Sequence, residues 1–155
     1  MAGAGARIRP LRRDDAAEAA RLCGQLGYPV DAATMAMRLA AVLERPATHA
    51  VFVAADAADD GHLLGMVAVE WRLTIEVGEQ AEIVAMVVDA DARRTGLGRQ
   101  LIDAACGWAR RQGAAGICVR SNVLRAEAHA FYPRLGFALG KTQHVYVKPL
   151  SAAGM

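Results

Sequence analysis

Three cations and two glycines stand together in Arg93-Arg94-Thr95-Gly96-Leu97-Gly98-Arg99, of the form R-x-x-G-x-G. A helix leaves the N–H groups of its first turn without backbone partners, and its dipole adds positive potential there. An anion, above all a pyrophosphate, can take those N–H groups. Gly96 and Gly98 lack a Cβ, so phosphate oxygens can approach the backbone closely. The bland reading of the same residues is a helix that starts after a loop and carries solvated arginines. Two other phosphate motifs fail here. A Walker loop ends in Gly-Lys-Ser/Thr, but Gly98 is followed by Arg99 and Gln100. A dinucleotide fingerprint needs a third glycine, where Leu101 stands. It also needs an acid about 20 residues further on, where the chain reads Gly116-Ile117-Cys118-Val119-Arg120.

The turn is positioned by what flanks it. Upstream, AEIVAMVV (Ala81 to Val88) reads as a buried strand with one acid, Glu82, near its start. Strand residues point to alternate faces, so Glu82, Val84, Met86 and Val88 are expected on one face. Downstream, Leu97, Leu101, Ala105 and Trp108 recur at the spacing of one helical face. A free Glu is too weak a base for an ammonium unless burial raises its pKa or a water relays the proton, and Ile83, Val84 and Met86 are expected to supply that burial. The alternative for Glu82 is a solvated acid or the partner of an arginine.

This strand and turn resemble the core strand and pyrophosphate loop of the GNAT N-acetyltransferase family, in particular its histone acetyltransferase branch. Ala128-His129-Ala130-Phe131-Tyr132-Pro133-Arg134-Leu135-Gly136-Phe137 is similar to the family's closing A-x-x-F-Y-x-x-L-G-F signature. The resemblance covers about a third of the chain, in the family's order. It implies an acetyl-CoA-dependent N-acetyltransferase fold over residues 1–155 as a single domain. Acetyl would pass directly to a primary amine through a tetrahedral intermediate. It implies that Arg93, Arg94, Thr95, Gly96, Leu97, Gly98 and Arg99 hold the pyrophosphate. Met86, Val87 and Val88 would pair with the pantetheine arm, and the Met86 N–H would face the thioester oxygen. It further implies Glu82 as general base, Tyr132 as the acid that protonates the departing sulfur, and Asn122 as a partner of the pantetheine arm. One departure stands out. Pro133 follows Tyr132 directly, and a proline inside a helix removes an N–H and clashes with the carbonyl four residues back, that of His129. A kink there would shift the tyrosine. His129 itself reads as a helix-surface or core histidine, with a base or cofactor contact as the other reading.

The chain has 155 residues, 54% of them hydrophobic, enough for one substantial core. Its net charge of +2 is too small to argue for nucleic acid. Cys23, Cys106 and Cys118 show no C-x-x-C spacing and read as buried or half-buried thiols in a reducing cytoplasm. His49, His62 and His144 show no metal spacing, so no metal is expected. No secretory signal and no stretch of 18 apolar residues is visible, so no membrane is expected.

Taken in order, the chain reads as an edge strand at Arg7 to Leu11, with Asp14 and Asp15 offering N-cap chemistry to a first helix. That helix has Ala19, Leu22, Cys23 and Leu26 inward and ends at Gly27. A second helix is capped by Asp31, with Met35, Leu39, Val42 and Leu43 inward. Ala50 to Ala54 and Leu63 to Ile75 form a hairpin, followed by the central strand and helix. A short strand follows at Ile117 to Arg120, then a helix from Arg125 to Leu135. A strand from Phe137, a turn at Gly140 and a strand at His144 to Val147 close the sheet. This is an α/β order, a mixed, mostly antiparallel sheet with helices on both faces.

The acceptor is expected between the two N-terminal helices, the Leu73 to Gln80 connection and the last hairpin. Glu70, Glu76 and Glu79 near that connection would suit a cationic amine, and equally suit a solvated face. The absence of an added domain favours a small-molecule amine over a protein lysine. The chain is compatible with a homodimer. A non-catalytic acyl-CoA-binding sensor, a protein lysine acetyltransferase and transfer of a longer acyl group stay open.

Overall fold

Extended apolar runs build one sheet here, and the amphipathic stretches before and after them become the helices that cover it. The computed structural model describes residues 5–121 and 126–150. The chain divides into two units, Met1–Arg120 and Ser121–Met155. The first holds β1 (Ala6–Pro10), a 3-10 turn, α1 (Ala16–Gln25), α2 (Ala32–Leu43), β2 (His49–Asp56), β3 (Asp59–Thr74), β4 (Gly78–Val88), a second 3-10 turn (Ala90–Ala92), α3 (Leu97–Arg111) and β5 (Ile117–Val119). The strands lie in the order β1-β2-β3-β4-β5. The first three pairings are antiparallel and β4–β5 is parallel. The second unit holds α4 (Ala126–Arg134).

Local chemistry sets the ends of these elements. Asp31 caps α2 by accepting from the Thr34 N–H at 2.7 Å. Gly27, at φ +102°, closes α1 in a conformation that suits glycine. Asp15 does not cap α1. Its carboxylate accepts from the Arg12 N–H at 2.8 Å and pairs with the buried Arg9. Pro10 sits in β1, an edge strand, where a missing N–H costs no ladder bond on the open side.

Two helices and the sheet share one core: Leu22 of α1 and Met35 and Leu39 of α2 pack with Val53, Leu63, Met66 and Val87. Leu43, expected inward, is exposed. The other face meets α3, whose Leu97, Leu101, Ile102, Ala105, Trp108 and Ala109 are all buried. Contact is closest at Gly65, where a Cβ would lie 2.9 Å from Leu101 Cδ1 and 3.1 Å from the Val87 carbonyl. Only glycine lets the helix approach so far.

One irregularity corrects the expected faces. Ala68 pairs with Ala85 but Val69 pairs with Ile83, so Val84 is an extra residue in β4. Such a bulge breaks the alternation. Directly opposed residues share a face, so Glu82 stands with Glu70, and beyond the bulge with Ala85 and Val87. Met86 and Val88 fall on the other face, and Val84 is 48% exposed.

The expected closing hairpin is absent: residues 137–150 carry no strand. Val145, Tyr146 and Val147 have strand-forming side chains, yet all three are exposed. Strand propensity is realised only against a partner strand, and none is paired with them among the described residues.

Candidate active site

The glycine turn sits where β4 hands over to α3. Gly96 is the N-cap of α3 at φ +84°, with no side-chain cap on the helix. Its own carbonyl takes the Gln100 N–H at 3.2 Å. The N–H groups of Leu97, Gly98 and Arg99 thus lie in the first turn of an uncapped helix, facing a position an anion can fill. Arg94 also holds a left-handed conformation, φ +66°. Arg93, Arg94 and Arg99 are exposed. Thr95 braces the turn from below, its hydroxyl donating to the Ala92 carbonyl at 2.6 Å. Arg93 Nε donates to the Val88 carbonyl at 3.3 Å.

β4 reaches this turn with one edge open. Its parallel pairing with β5 covers only Ala81 to Ile83, while its pairing with β3 runs on to Val88. From Val84 to Val88 the edge away from β3 has no strand partner among the described residues. An extended chain can pair with such an edge.

In the middle of the three residues that β4 pairs with β5 stands Glu82, only 3% exposed. Oε1 accepts from Arg72 Nη1 at 2.8 Å and Oε2 from Arg120 Nε at 3.0 Å. The Cys118 thiol approaches Oε1 at 3.6 Å. Burial pushes this carboxyl up, but the guanidiniums of Arg120 and Arg72 outweigh it, and its pKa falls below the ordinary value. The expectation that burial would raise Glu82 into the range of a base is corrected: Ile83 and Met86 lie on the other face and Val84 is exposed, while Arg120 and Arg72 hold the buried carboxyl ionised. The same carboxylate raises Cys118, after burial, above the usual thiol range.

Glu82 belongs to a row across the sheet. His49, Glu70, Glu82 and Cys118 are directly opposed on β2, β3, β4 and β5. His49 Nε2 lies 3.4 Å from Glu70 Oε2, and Arg72 Nε lies 3.4 Å from Glu70 Oε1. Glu79 opposes Leu73 and falls on the other face, and Glu76 is in the exposed turn between the strands. The three glutamates therefore do not form one acidic lining. Glu70 faces His49 and Arg72.

The sequence of residues 15–137 matches the acetyltransferase (GNAT) family. The chain belongs to that family. A relative from Bacillus subtilis (strain 168), the uncharacterized N-acetyltransferase YhdJ, is 34% identical over 80 residues, 51% of this chain and 55% of its own. The match thus spans about half the length of that relative. Among solved structures, glucosamine-6-phosphate N-acetyltransferase from Arabidopsis thaliana superposes with a TM-score of 0.78 at 19% identity, covering 92% of this chain and 97% of its own. An aminoglycoside 6'-N-acetyltransferase from Acinetobacter baumannii gives 0.81 at 16%, covering 95% and 100%. An aminoglycoside N-acetyltransferase in complex with CoA gives 0.81 at 19%, covering 92% and 94%. These likenesses establish the GNAT fold.

The GNAT chain's other expected site residues lie in its second unit. Tyr132 is half-buried in α4, edge-on to Phe131 at 5.1 Å and to Phe137 at 5.6 Å between ring centroids. Pro133 falls one residue before the end of α4. The helix then closes on Gly136, φ +93°, with the Phe137 N–H donating to the Tyr132 carbonyl at 3.1 Å. Asn122 lies outside the described residues. Among those described, no group of three or more His, Cys, Asp or Glu could hold a metal, and no helix is long and apolar enough to cross a membrane.

The sequence reading missed Arg72 and Arg120 beside Glu82. A signal for Arg72 existed. Gly78 at φ +83° ends a three-residue turn after Thr74, and counting outward pairs Arg72 with Gln80 and Glu70 with Glu82. Arg72 is then the diagonal neighbour of Glu82. Arg120 carried no such signal, because a parallel pairing has no turn to count from.

Proposed function

We propose that this protein transfers an acetyl group from acetyl-CoA to the primary amine of a small molecule. One observation carries the reading: a glycine-initiated helix N-terminus with no side-chain cap, flanked by Arg93, Arg94 and Arg99, at the end of a β4 edge that has no strand partner from Val84 to Val88 among the described residues. The two features fit the two parts of CoA, a pyrophosphate and an amide-bearing arm. Family membership supports the same cosubstrate. The small acceptor is supported by the aminoglycoside and glucosamine-6-phosphate N-acetyltransferases that share the fold.

Acetyl-CoA supplies the activated acetyl thioester. The first-turn N–H groups of α3 and the three arginines hold its pyrophosphate, and Met86, Val87 and Val88 offer backbone groups to its arm. The Met86 N–H is assigned to the thioester oxygen, where a fixed donor stabilises developing negative charge. The resemblance of Ala128 to Phe137 to the family's closing signature would give Tyr132 the role of donating a proton to the departing sulfur. Glu82, with both oxygens engaged, keeps Arg72 and Arg120 in place and is a poor proton acceptor. The amine proton then leaves to water.

Thermal melting with CoA tests the cosubstrate. A ligand that binds only the folded state stabilises it by about 2.7 kcal/mol at a hundredfold excess over Kd. Melting should rise with CoA, rise little with pantetheine, and lose most of the rise in Gly98→Val. Equal responses of wild type and Gly98→Val would sink the turn assignment. Thioester consumption across small amines, basic peptides and folded proteins tests the acceptor. Acetylation of folded proteins alone would overturn the small-molecule reading, and binding without consumption would favour a sensor.

A further inference from the structure

The glycine turn is held from a distance. Arg21 of α1 places Nη1 2.7 Å from Asp89 Oδ2, at the end of β4. Its Nη2 donates to the Leu63 carbonyl at 2.8 Å, and its Nε to Glu18 Oε2 at 2.9 Å. Glu18 in turn accepts from the Leu63 N–H at 2.9 Å and lies 3.0 Å from His62 Nδ1. The Asp89 side chain, 6% exposed, uses its other oxygen to accept from the Asp91 N–H at 3.0 Å, starting the 3-10 turn Ala90–Ala92. Gln25, also on α1, accepts from the Ala90 N–H at 2.9 Å. The Ala92 carbonyl then holds Thr95, and Thr95 adjoins Gly96. A continuous series of bonds therefore runs from α1 to the N-terminus of α3.

None of Glu18, Arg21, Gln25 and Asp89 lies in the first turn of α3. Their effect is on the backbone that does. Phosphate recognition by N–H groups depends on their being fixed before binding, and a displacement of about 0.5 Å is enough to degrade such a site. A turn tied only to its own strand and helix has few contacts to set that geometry.

We propose that Arg21 is the positioning residue of the CoA pyrophosphate site: its bond to Asp89, with Gln25 beside it, locks the turn that presents the α3 N–H groups. The inference rests on the cosubstrate reading above. It also makes α1 part of the cosubstrate site, though α1 donates nothing to the ligand.

The test is CoA affinity by titration calorimetry, well below each variant's melting temperature. Arg21→Met should raise Kd on the order of tenfold, about 1.4 kcal/mol. Arg21→Lys, which can keep a single charge contact with Asp89, should recover part of it. Asp89→Asn keeps the Asp91 cap, so in combination with Arg21→Met it should add little to the loss of either alone. Gln25→Leu, at an exposed position, should raise Kd a few-fold with little change in melting, and keeps the idea testable if Arg21→Met does not fold. A purely structural Arg21 would lower melting and leave Kd unchanged. Unchanged Kd in Arg21→Lys and Gln25→Leu, or in Arg21→Met, overturns the proposal while the CoA reading stands. Failure of wild type to bind CoA overturns both.

Discussion

Glu82 is surrounded by cations, and its removal should be read in that light. Glu82→Gln keeps the shape but leaves Arg72 and Arg120 facing an uncharged amide. Hydrogen bonds to charged groups contribute about 1.5–3 kcal/mol each. Both guanidiniums are partly exposed, 37% and 56% of the side chain, and can rehydrate, so a total near the low end is expected. For a chain of this size that is a drop of several degrees in Tm. Activity should fall too, through the displaced arginines, and high pH should not restore it. A true general base would behave otherwise: its loss would cost roughly 10²–10⁴ and recover in part as the amine deprotonates. Recovery of kcat/KM at alkaline pH would therefore return the base to Glu82. Tyr132 poses a cleaner question. Tyr132→Phe keeps the ring contacts with Phe131 and Phe137 and loses only the hydroxyl. Turnover should fall on the order of tenfold to a hundredfold, without alkaline recovery and with CoA affinity kept. A silent Tyr132→Phe would remove the tyrosine from the chemistry.

The strand–turn–helix unit is where an element-level prediction is sharpest. A Cβ at Gly96 would meet no atom within 4 Å, so Gly96→Ala tests backbone conformation alone. Holding a non-glycine residue at φ +84° costs about 1–2 kcal/mol. The variant should lose that much in denaturant unfolding and lose CoA affinity as well. Unchanged stability would mean that the left-handed start of α3 is not required. This unit was also the most legible part of the sequence. Apolar spacing from Leu97 to Trp108 located the buried face of α3, and Asp31 located the start of α2, because both signals act within one or two helical turns. The β4 bulge was not legible: AEIVAMVV is apolar apart from Glu82 and has no glycine or proline, and strict alternation is the natural reading of it. The closing hairpin was over-read for the converse reason. His144 to Val147 have the composition of a strand, but pairing depends on a second strand that composition does not name. The pairing of Arg120 with Glu82 and the tie from Arg21 to Asp89 join residues far apart in sequence, so no local pattern announces them.

Across the first unit, carboxylates are consistently held ionised by arginines: Asp15 by Arg9, Asp89 by Arg21, Glu82 by Arg120 and Arg72. Arg21, against some burial, brings Glu18 down to about 2 from 4.5. Asp15, Glu82 and Asp89 are also lowered, the guanidinium and backbone donors overcoming burial. A carboxyl whose folded pKa is depressed binds fewer protons in the native state than in the unfolded one. It adds stability above its unfolded pKa and loses it as pH falls through the folded value. Stability should accordingly be flat near neutrality and fall steadily from about pH 4.5 toward pH 2, with Glu18 contributing at most about 3 kcal/mol. Urea unfolding between pH 7 and pH 2.5 checks this. A midpoint unchanged at pH 3 would mean that these pairs do not stabilise the native state.

Val84 offers a way to separate folding from function by a single-codon deletion. On either side of it, Ile83 and Ala85 already lie on opposite faces, as consecutive residues of a regular strand would. Excising Val84 would therefore rejoin β4 without turning any core side chain outward. What would go is the bend that the extra residue puts into the strand, and with it the parting of β4 from β5 after Ile83. The shortened chain should melt close to wild type and bind CoA poorly, a defect of cosubstrate binding in a protein that is otherwise sound. Most single-residue deletions in a central strand would do the reverse and unfold it, since a one-residue slip exchanges the two faces.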